Sequence, residues 1–355
     1  MFNLDTITRD NIKSLVAYSS ARDEFSGEAK VFLDANENSL GSPLTKWYNR
    51  YPDPHQVAVK AALSQVKGIA PDHILLGNGS DECIDLLFRC FCNPGKDNVI
   101  ICPPTYGMYE VSANINAIEI RKAPLLENFQ LDLIHLETLV DENTKLIWLC
   151  SPNNPTGNSL NRADIETVLN NFNGIVVVDE AYINFAKQKT FIQELGEYPN
   201  LVVLQTFSKA WGLAGLRLGM TFASKEIIAI LNKTKPPYNI NQVTQELALK
   251  ALEEVGQVND MINDLVDMRE ALAQVFMQMP TVEKVYPSDA NFLLVKIKEA
   301  RKVYEFLLTK GIVLRDRSSV KLCDDCLRIT IGTEKENTIL VDALAEWFDQ
   351  TQVAG

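Results

Sequence analysis

The sequence predicts an α/β protein, with a large domain on a mainly parallel sheet and a smaller α+β domain. Three observations carry this. Four short runs are apolar at every position: Val99-Ile100-Ile101-Cys102, Leu146-Ile147-Trp148-Leu149-Cys150, Ile175-Val176-Val177-Val178 and Leu201-Val202-Val203-Leu204. A strand wetted on one side alternates, so continuous runs belong to strands covered on both faces, as in parallel sheets. Helical-period segments, Asp81 to Phe91 ahead of the first run and Arg162 to Phe172 between the second and third, alternate with the runs in a βαβ rhythm. From about Pro236 the pattern changes: helical periodicity covers Val243 to Met277, and shorter pieces follow at Ala290 to Ile297, near Arg301 to Lys310 and at Leu327 to Ile331. This divides the chain into residues 30–245, a large domain, and residues 1–29 with 246–355, a small domain with an N-terminal arm.

Composition narrows the function. The chain has 355 residues, 46% hydrophobic and 23% charged, ordinary for a globular protein with a sizeable core. With 34 basic and 46 acidic side chains the net charge is −12, which repels phosphate backbones and anionic lipid. Nucleic acid and membranes are therefore not expected partners. No apolar run approaches the roughly 20 residues of a membrane span, and Met1 to Asp10 has no signal-peptide core. The 7 cysteines are scattered, which suits a reducing cytoplasm. Cys323 and Cys326 form a lone C-x-x-C pair far in sequence from His55, His73 and His135, so buried thiols are expected and no metal site.

Polar and Gly/Pro-rich signals follow the apolar runs, and ligands of open parallel sheets bind outside the carboxyl ends of the strands. Lys209 lies just beyond the Leu201–Leu204 run, among hydroxyls and small residues. Lysines are usually solvated surface groups, but a partly desolvated amine loses its proton and forms Schiff bases. Thr206, Ser208 and Arg217 around it suit a phosphate dianion. In Gly77-Asn78-Gly79-Ser80-Asp81-Glu82, the glycines permit a tight turn whose following amides face an anion. Ser80 as an ordinary helix cap accounts for the same residues. Asp179 closes a wholly apolar strand, where a carboxylate needs a partner. A protonated pyridine nitrogen or a structural cation would serve, and a helix-cap role is the third option. Tyr182 follows it, and Asn154 stands in Asn153-Asn154-Pro155-Thr156-Gly157, either a turn or a donor to a cofactor oxygen.

Taken together, Ser151 to Gly157 (S-P-N-N-P-T-G), Asp179 to Tyr182 (D-E-A-Y) and Ser208 to Gly219 (S-K-A-W-G-L-A-G-L-R-L-G) resemble the fold type I aminotransferases that use pyridoxal 5'-phosphate (PLP). Within that superfamily the chain is similar to the histidinol-phosphate aminotransferase family. Further matches are Leu33 to Asn38, Arg50 to Pro54, Gly77 to Glu82, Pro104 to Tyr109, Leu314 to Asp316 and Leu327 to Thr333, so the resemblance runs from about residue 15 to 335.

The resemblance implies a role for each matching position. Lys209 holds PLP and moves the proton, and Asp179 pairs with the pyridine nitrogen. Tyr182 and Asn154 bond the phenolic oxygen, and Tyr106 stacks on the ring. The amides of Gly79, Ser80 and Asp81, with Thr206, Ser208 and Arg217, bind the cofactor phosphate. Tyr51 reaches the phosphate of the other subunit, which implies a homodimer with shared active sites. Tyr18, Asn154, Arg315 and Arg328 bind substrate, although a surface ion pair with Asp316 or Asp324 also accounts for Arg315. The implied reaction is reversible transamination between L-histidinol phosphate and 2-oxoglutarate, in histidine biosynthesis. The rival readings are an aromatic-amino-acid aminotransferase, a phosphothreonine-type PLP decarboxylase and, more distantly, a non-catalytic small-molecule-binding protein. A nicotinamide dehydrogenase is disfavoured because no G-x-G-x-x-G follows a strand.

Overall fold

The computed structural model describes residues 2–19, 30–44 and 46–353. Two sheets form among them. The larger contains β1 (Ile74–Asn78), β2 (Asn98–Ile101), β3 (Glu119–Lys122), β4 (Thr144–Cys150), β5 (Ile175–Asp179), β6 (Leu201–Thr206) and β7 (Leu218–Ala223), in the order β1-β7-β6-β5-β4-β2-β3. All neighbouring pairs are parallel except those of β7, which runs antiparallel to both β1 and β6.

The four apolar runs are β2, β4, β5 and β6, and they are buried on both faces for the reason expected. Alternate side chains of a strand point to opposite sides. Ile147 and Leu149, Val176 and Val178, and Leu201 and Val203 enter one apolar cluster, while Leu146 and Trp148, Ile175 and Val177, and Val202 and Leu204 enter another. Three strands have no such run. β3 is an edge strand carrying Glu119 and Lys122. β1 and β7 contain Gly77, Gly219 and Thr221, which interrupt the apolar pattern.

Helices cover both faces of the sheet. Ser80–Phe91 buries Ile84, Leu87, Phe88 and Phe91. Arg162–Asn171 starts where the Asn161 side chain accepts from the Ala163 amide. Near the N-terminus, Ile7 joins the same cluster as Phe88 and Trp148, and Arg9 Nη1 donates to the Arg89 carbonyl at 2.8 Å.

The helical pattern from Val243 to Met277 resolves into two helices, Gln242–Glu253 and Val255–Met277. They meet at Glu254, whose φ −104° and ψ 31° leave the helical range. The longer helix places Val258 and Ile262 in a cluster of the large sheet, and Leu272 and Phe276 in a third cluster. That third cluster lies on the smaller, all-antiparallel sheet, ordered β10 (Arg315–Asp316), β11 (Cys326–Thr330), β9 (Phe292–Ile297), β8 (Val282–Val285). Helices Ala300–Thr309 and Glu334–Val353 complete it.

The reversal at β7 matters for the site. The chain leaves the sheet at Thr206, turns through Lys209, and re-enters at Leu218, so Arg217 returns to the edge it left. Asn78 is the register partner of Leu218, and Cys150 of Asp179. The residues beyond β1, β4, β5 and β6 and before β7 thus converge on one edge.

Candidate active site

At that edge lies a cavity of about 690 Å³, within the usual range for small-molecule sites. Its floor is Asp179, buried to 3% exposure at the end of β5. Burial raises its pKa, because the ionised carboxylate has lost its hydration. Two donors work the other way: the Tyr109 hydroxyl at 2.5 Å and the Ala181 amide at 3.1 Å. Tyr109 is fully buried and stacks on Trp148 at 4.8 Å, which holds its hydroxyl under the carboxylate. Beside Asp179, Tyr182 is buried and packs edge-on to Phe292.

Lys209 opens into the cavity from the turn after β6. The turn is closed by the Gly212 amide donating to the Lys209 carbonyl and the Leu213 amide to that of Phe207. Phe207 and Trp211, buried and in ring contact at 4.9 Å, anchor it on either side. The residue is exposed toward the open cavity, yet its amine is held below the ordinary lysine pKa. Desolvation is the main cause and the Arg328 charge the next. Its Nζ lies 5.6 Å from the Tyr182 ring centroid.

The corner whose amides and arginine suit an anion is built by glycines. Gly79 has φ +79°, and a Cβ there would meet Arg217 Nη2 at 2.6 Å. Gly219 on β7 presses against the same turn: a Cβ on it would lie 2.4 Å from Gly79 C and from Ser80 N. The first amides of helix Ser80–Phe91 are left without intrahelical partners here, at the positive end of the helix dipole. Arg217 Nη2 stands 3.5 Å from Asp81 Oδ2, and the Tyr106 hydroxyl donates to Asp81 Oδ1 at 3.1 Å. Thr206 Oγ1 accepts from the Ser208 amide at 3.0 Å.

The opposite wall comes from the small sheet. Arg328 Nη1 donates to Asn154 Oδ1 at 2.5 Å, joining β11 to the loop after β4. Asn153 holds that loop by donating to the Pro104 carbonyl and to Thr156 Oγ1. Arg315 also lines the cavity. Its neighbour Asp316 projects to the other side of the strand and pairs with Arg301 at 3.0 Å, so the Arg315–Asp316 pair that adjacency in sequence suggests is not made. Burial and Arg315 depress the Arg328 pKa.

The structure thus brings together Ser80, Asp81, Tyr106, Asn154, Asp179, Tyr182, Thr206, Ser208, Lys209, Arg217, Arg315 and Arg328, with Gly79 at the rim. Two expected residues stand apart in the single chain. Tyr18 is 69% exposed and away from the cavity, and its neighbours Ser20, Ala21 and Arg22 lie outside the described residues. Tyr51 stacks on Tyr238 at 4.4 Å in a separate cleft.

Two residues escaped the sequence reading. Tyr109 lies in the first turn of the helix Met108–Ile115, three positions after Tyr106, which precedes that helix. Arg317 stands two after Arg315, the spacing of one strand face. Cys323 and Cys326 are buried free thiols, as are the other cysteines.

Residues 30–344 match the family described as aminotransferase class I and II. The chain belongs to that family. Among its relatives, the histidinol-phosphate aminotransferase of Cytophaga hutchinsonii is 54% identical over 97% of this chain and 99% of that protein. That of Flavobacterium johnsoniae is 51% identical over 97% and 98%. The crystal structure of the histidinol-phosphate aminotransferase from Clostridium acetobutylicum superposes with TM-score 0.79 at 25% identity, covering 85% of this chain and 92% of that one. The enzyme of Sinorhizobium meliloti, solved with pyridoxal-5'-phosphate, has the same fold at TM-score 0.79 and 23% identity, covering 89% and 90%.

Proposed function

We propose that this chain is a PLP-dependent aminotransferase that exchanges the amino group between L-histidinol phosphate and 2-oxoglutarate, a step of histidine biosynthesis. The observation that carries the reading is the convergence, on one sheet edge, of a lysine of lowered pKa, a buried carboxylate and a glycine-built anion corner. More than 50% identity to histidinol-phosphate aminotransferases over nearly the full chain supports the substrate.

The residues fit PLP. The buried Asp179 suits a pyridinium partner, and the Gly79–Ser80 turn with Arg217 suits its phosphate. PLP when bound supplies the electron sink for carbanion chemistry. Asp179 would face the ring nitrogen, and the Tyr109 hydroxyl and the Ala181 amide, which donate to its carboxylate, oppose the upward shift that burial gives its pKa. Tyr182 and Asn154 would hold the ring through its phenolic oxygen, and Tyr106 would pack on it; all three line the cavity. Lys209 would hold the cofactor and would move a proton at the substrate carbon. Its lowered pKa leaves more of the amine free as a base near neutral pH. Arg315 and Arg328 receive the anionic end of either substrate, since a guanidinium fork fits carboxylate and phosphate alike.

Both half-reactions use one site, so kinetics are ping-pong. The open cleft containing Tyr51 and Tyr238 supports a second copy of the chain completing the site, in a homodimer. Tyr18, which does not line the cavity of its own chain, is assigned to substrate binding. No helix of the described residues is long and apolar enough to cross a membrane, and a cytoplasmic location fits a biosynthetic enzyme with free thiols.

The test is a single turnover. PLP-loaded protein mixed with L-histidinol phosphate and no oxo acid should lose the visible absorbance of the bound cofactor, and 2-oxoglutarate should restore it. Discharge by tyrosine or phenylalanine but not by L-histidinol phosphate would reassign the substrate. Release of carbon dioxide with no need for an oxo acid would identify a decarboxylase.

A further inference from the structure

The small sheet presents arginines to the cavity in a way that the two expected anchors do not explain. Arg315 and Arg328 are direct register partners on the antiparallel strands β10 and β11. Like charges directly opposite one another on a sheet repel. The arrangement continues: the Arg317 amide donates to the Cys326 carbonyl at 2.9 Å, extending the same pairing by two residues. With a side-chain period of two, Arg317 shares the face of Arg315 and Arg328 and lines the cavity with them. Asp316 and Leu327 occupy the other face, the first paired with Arg301 and the second in the apolar core.

Among the described residues the Arg317 side chain makes no ion pair. Its Nε is buried without a hydrogen-bond partner, and among the described residues no carboxylate neutralises it. Burial and the charges of Arg328 and Arg315 all depress its pKa. A half-buried guanidinium beside two like charges is costly in the free protein, and an anion between them relieves both desolvation and repulsion.

The two anions the site must accept differ in charge and in oxygens. A carboxylate is a monoanion with two oxygens, which one guanidinium fork satisfies. A phosphate monoester is nearly a dianion at neutral pH, with three strong acceptor oxygens. We propose that Arg317 is a specificity-determining residue: the third guanidinium of a three-arginine face, engaging the phosphate of the amino donor and contributing little to glutamate. The inference rests on the substrate assignment above.

The experiment uses PLP-loaded protein as wild type, Arg317→Gln and Arg317→Lys. Single-turnover rates are measured against concentration for L-histidinol phosphate and, separately, L-glutamate. Calorimetry of inorganic phosphate and of glutarate gives a binding readout independent of turnover. A charge-assisted hydrogen bond lost from a buried site corresponds to about tenfold or more in affinity. Arg317→Gln should therefore weaken L-histidinol phosphate and inorganic phosphate by at least that factor, with the saturating rate little changed. L-Glutamate and glutarate should stay within about twofold, and Arg317→Lys should fall between. Equal weakening of both anion classes would make Arg317 a general or packing residue and overturn the proposal, as would no change in either. A wild-type protein not discharged by L-histidinol phosphate would refute the substrate reading. The inorganic phosphate titration would still decide on Arg317.

Discussion

A carboxylate enclosed at the end of a buried strand resists ionisation, and at Asp179 two donors, Tyr109 and the Ala181 amide, partly offset that effect of burial. Tyr109 touches Asp179 rather than the reacting atoms, so it is a positioning residue. Tyr109→Phe removes a bond that lowers the Asp179 pKa, so that pKa should rise further. The acidic limb of kcat/KM against pH should then move to higher pH, with the plateau largely retained. A pH-rate profile checks this; a uniform loss at every pH would mean that packing against Trp148 is what Tyr109 contributes. Sequence alone marked Asp179 as needing a partner, and its position after Val176–Val178 was enough for that. It did not reveal Tyr109, because the partner comes from a helix 70 residues earlier.

At the scale of elements, the reversed strand β7 is what makes the anion corner. It returns Arg217 to the edge that β6 leaves, and its Gly219 lets the turn before helix Ser80–Phe91 lie directly against the sheet. Gly219→Ala would push a methyl group into Gly79 and Ser80, and overpacking of this kind costs about 1–3 kcal/mol. The expected result is a lower melting temperature together with weaker PLP binding, read by equilibrium titration of the cofactor. Normal PLP affinity in the variant would show that the turn moves freely and would remove Gly219 from the account of the corner. The Gly77-to-Glu82 signal was legible because turn and helix-start chemistry is local. The requirement at Gly219 was not, because it arises from contact with a turn 140 residues away in sequence.

For the molecule as a whole, the helix Val255–Met277 ties the two sheets together, and Arg269 is its buried fastening. Arg269 Nη1 donates to the Ala290 carbonyl at 2.8 Å and to that of Phe185 at 3.3 Å, linking the turn after β5 to the approach to β9. Arg269→Met should leave both carbonyls unsatisfied, costing about 1–3 kcal/mol for each buried group. Reduced stability in denaturant melts is expected, with a fall in kcat/KM as Arg328 loses its fixed distance from Lys209. Unchanged stability would mean that water or rearrangement satisfies the carbonyls.

By itself the sequence determined the α/β class, four of the central strands and which polar residues stand at the strand ends. These depend on local pattern: continuous apolar runs, turn glycines, and a lysine or aspartate at a strand terminus. Edge and glycine-bearing strands stayed hidden, because β3, β1 and β7 carry charge, glycine or threonine where a run would need apolar residues. The tertiary structure alone decided the reversal of β7 and the bond from Arg328 to Asn154 across 174 positions. It also decided that Arg315, Arg317 and Arg328 share one face. Those outcomes depend on which strands pair and in what register, and register is set by burial and packing of the whole chain rather than by residues adjacent in sequence.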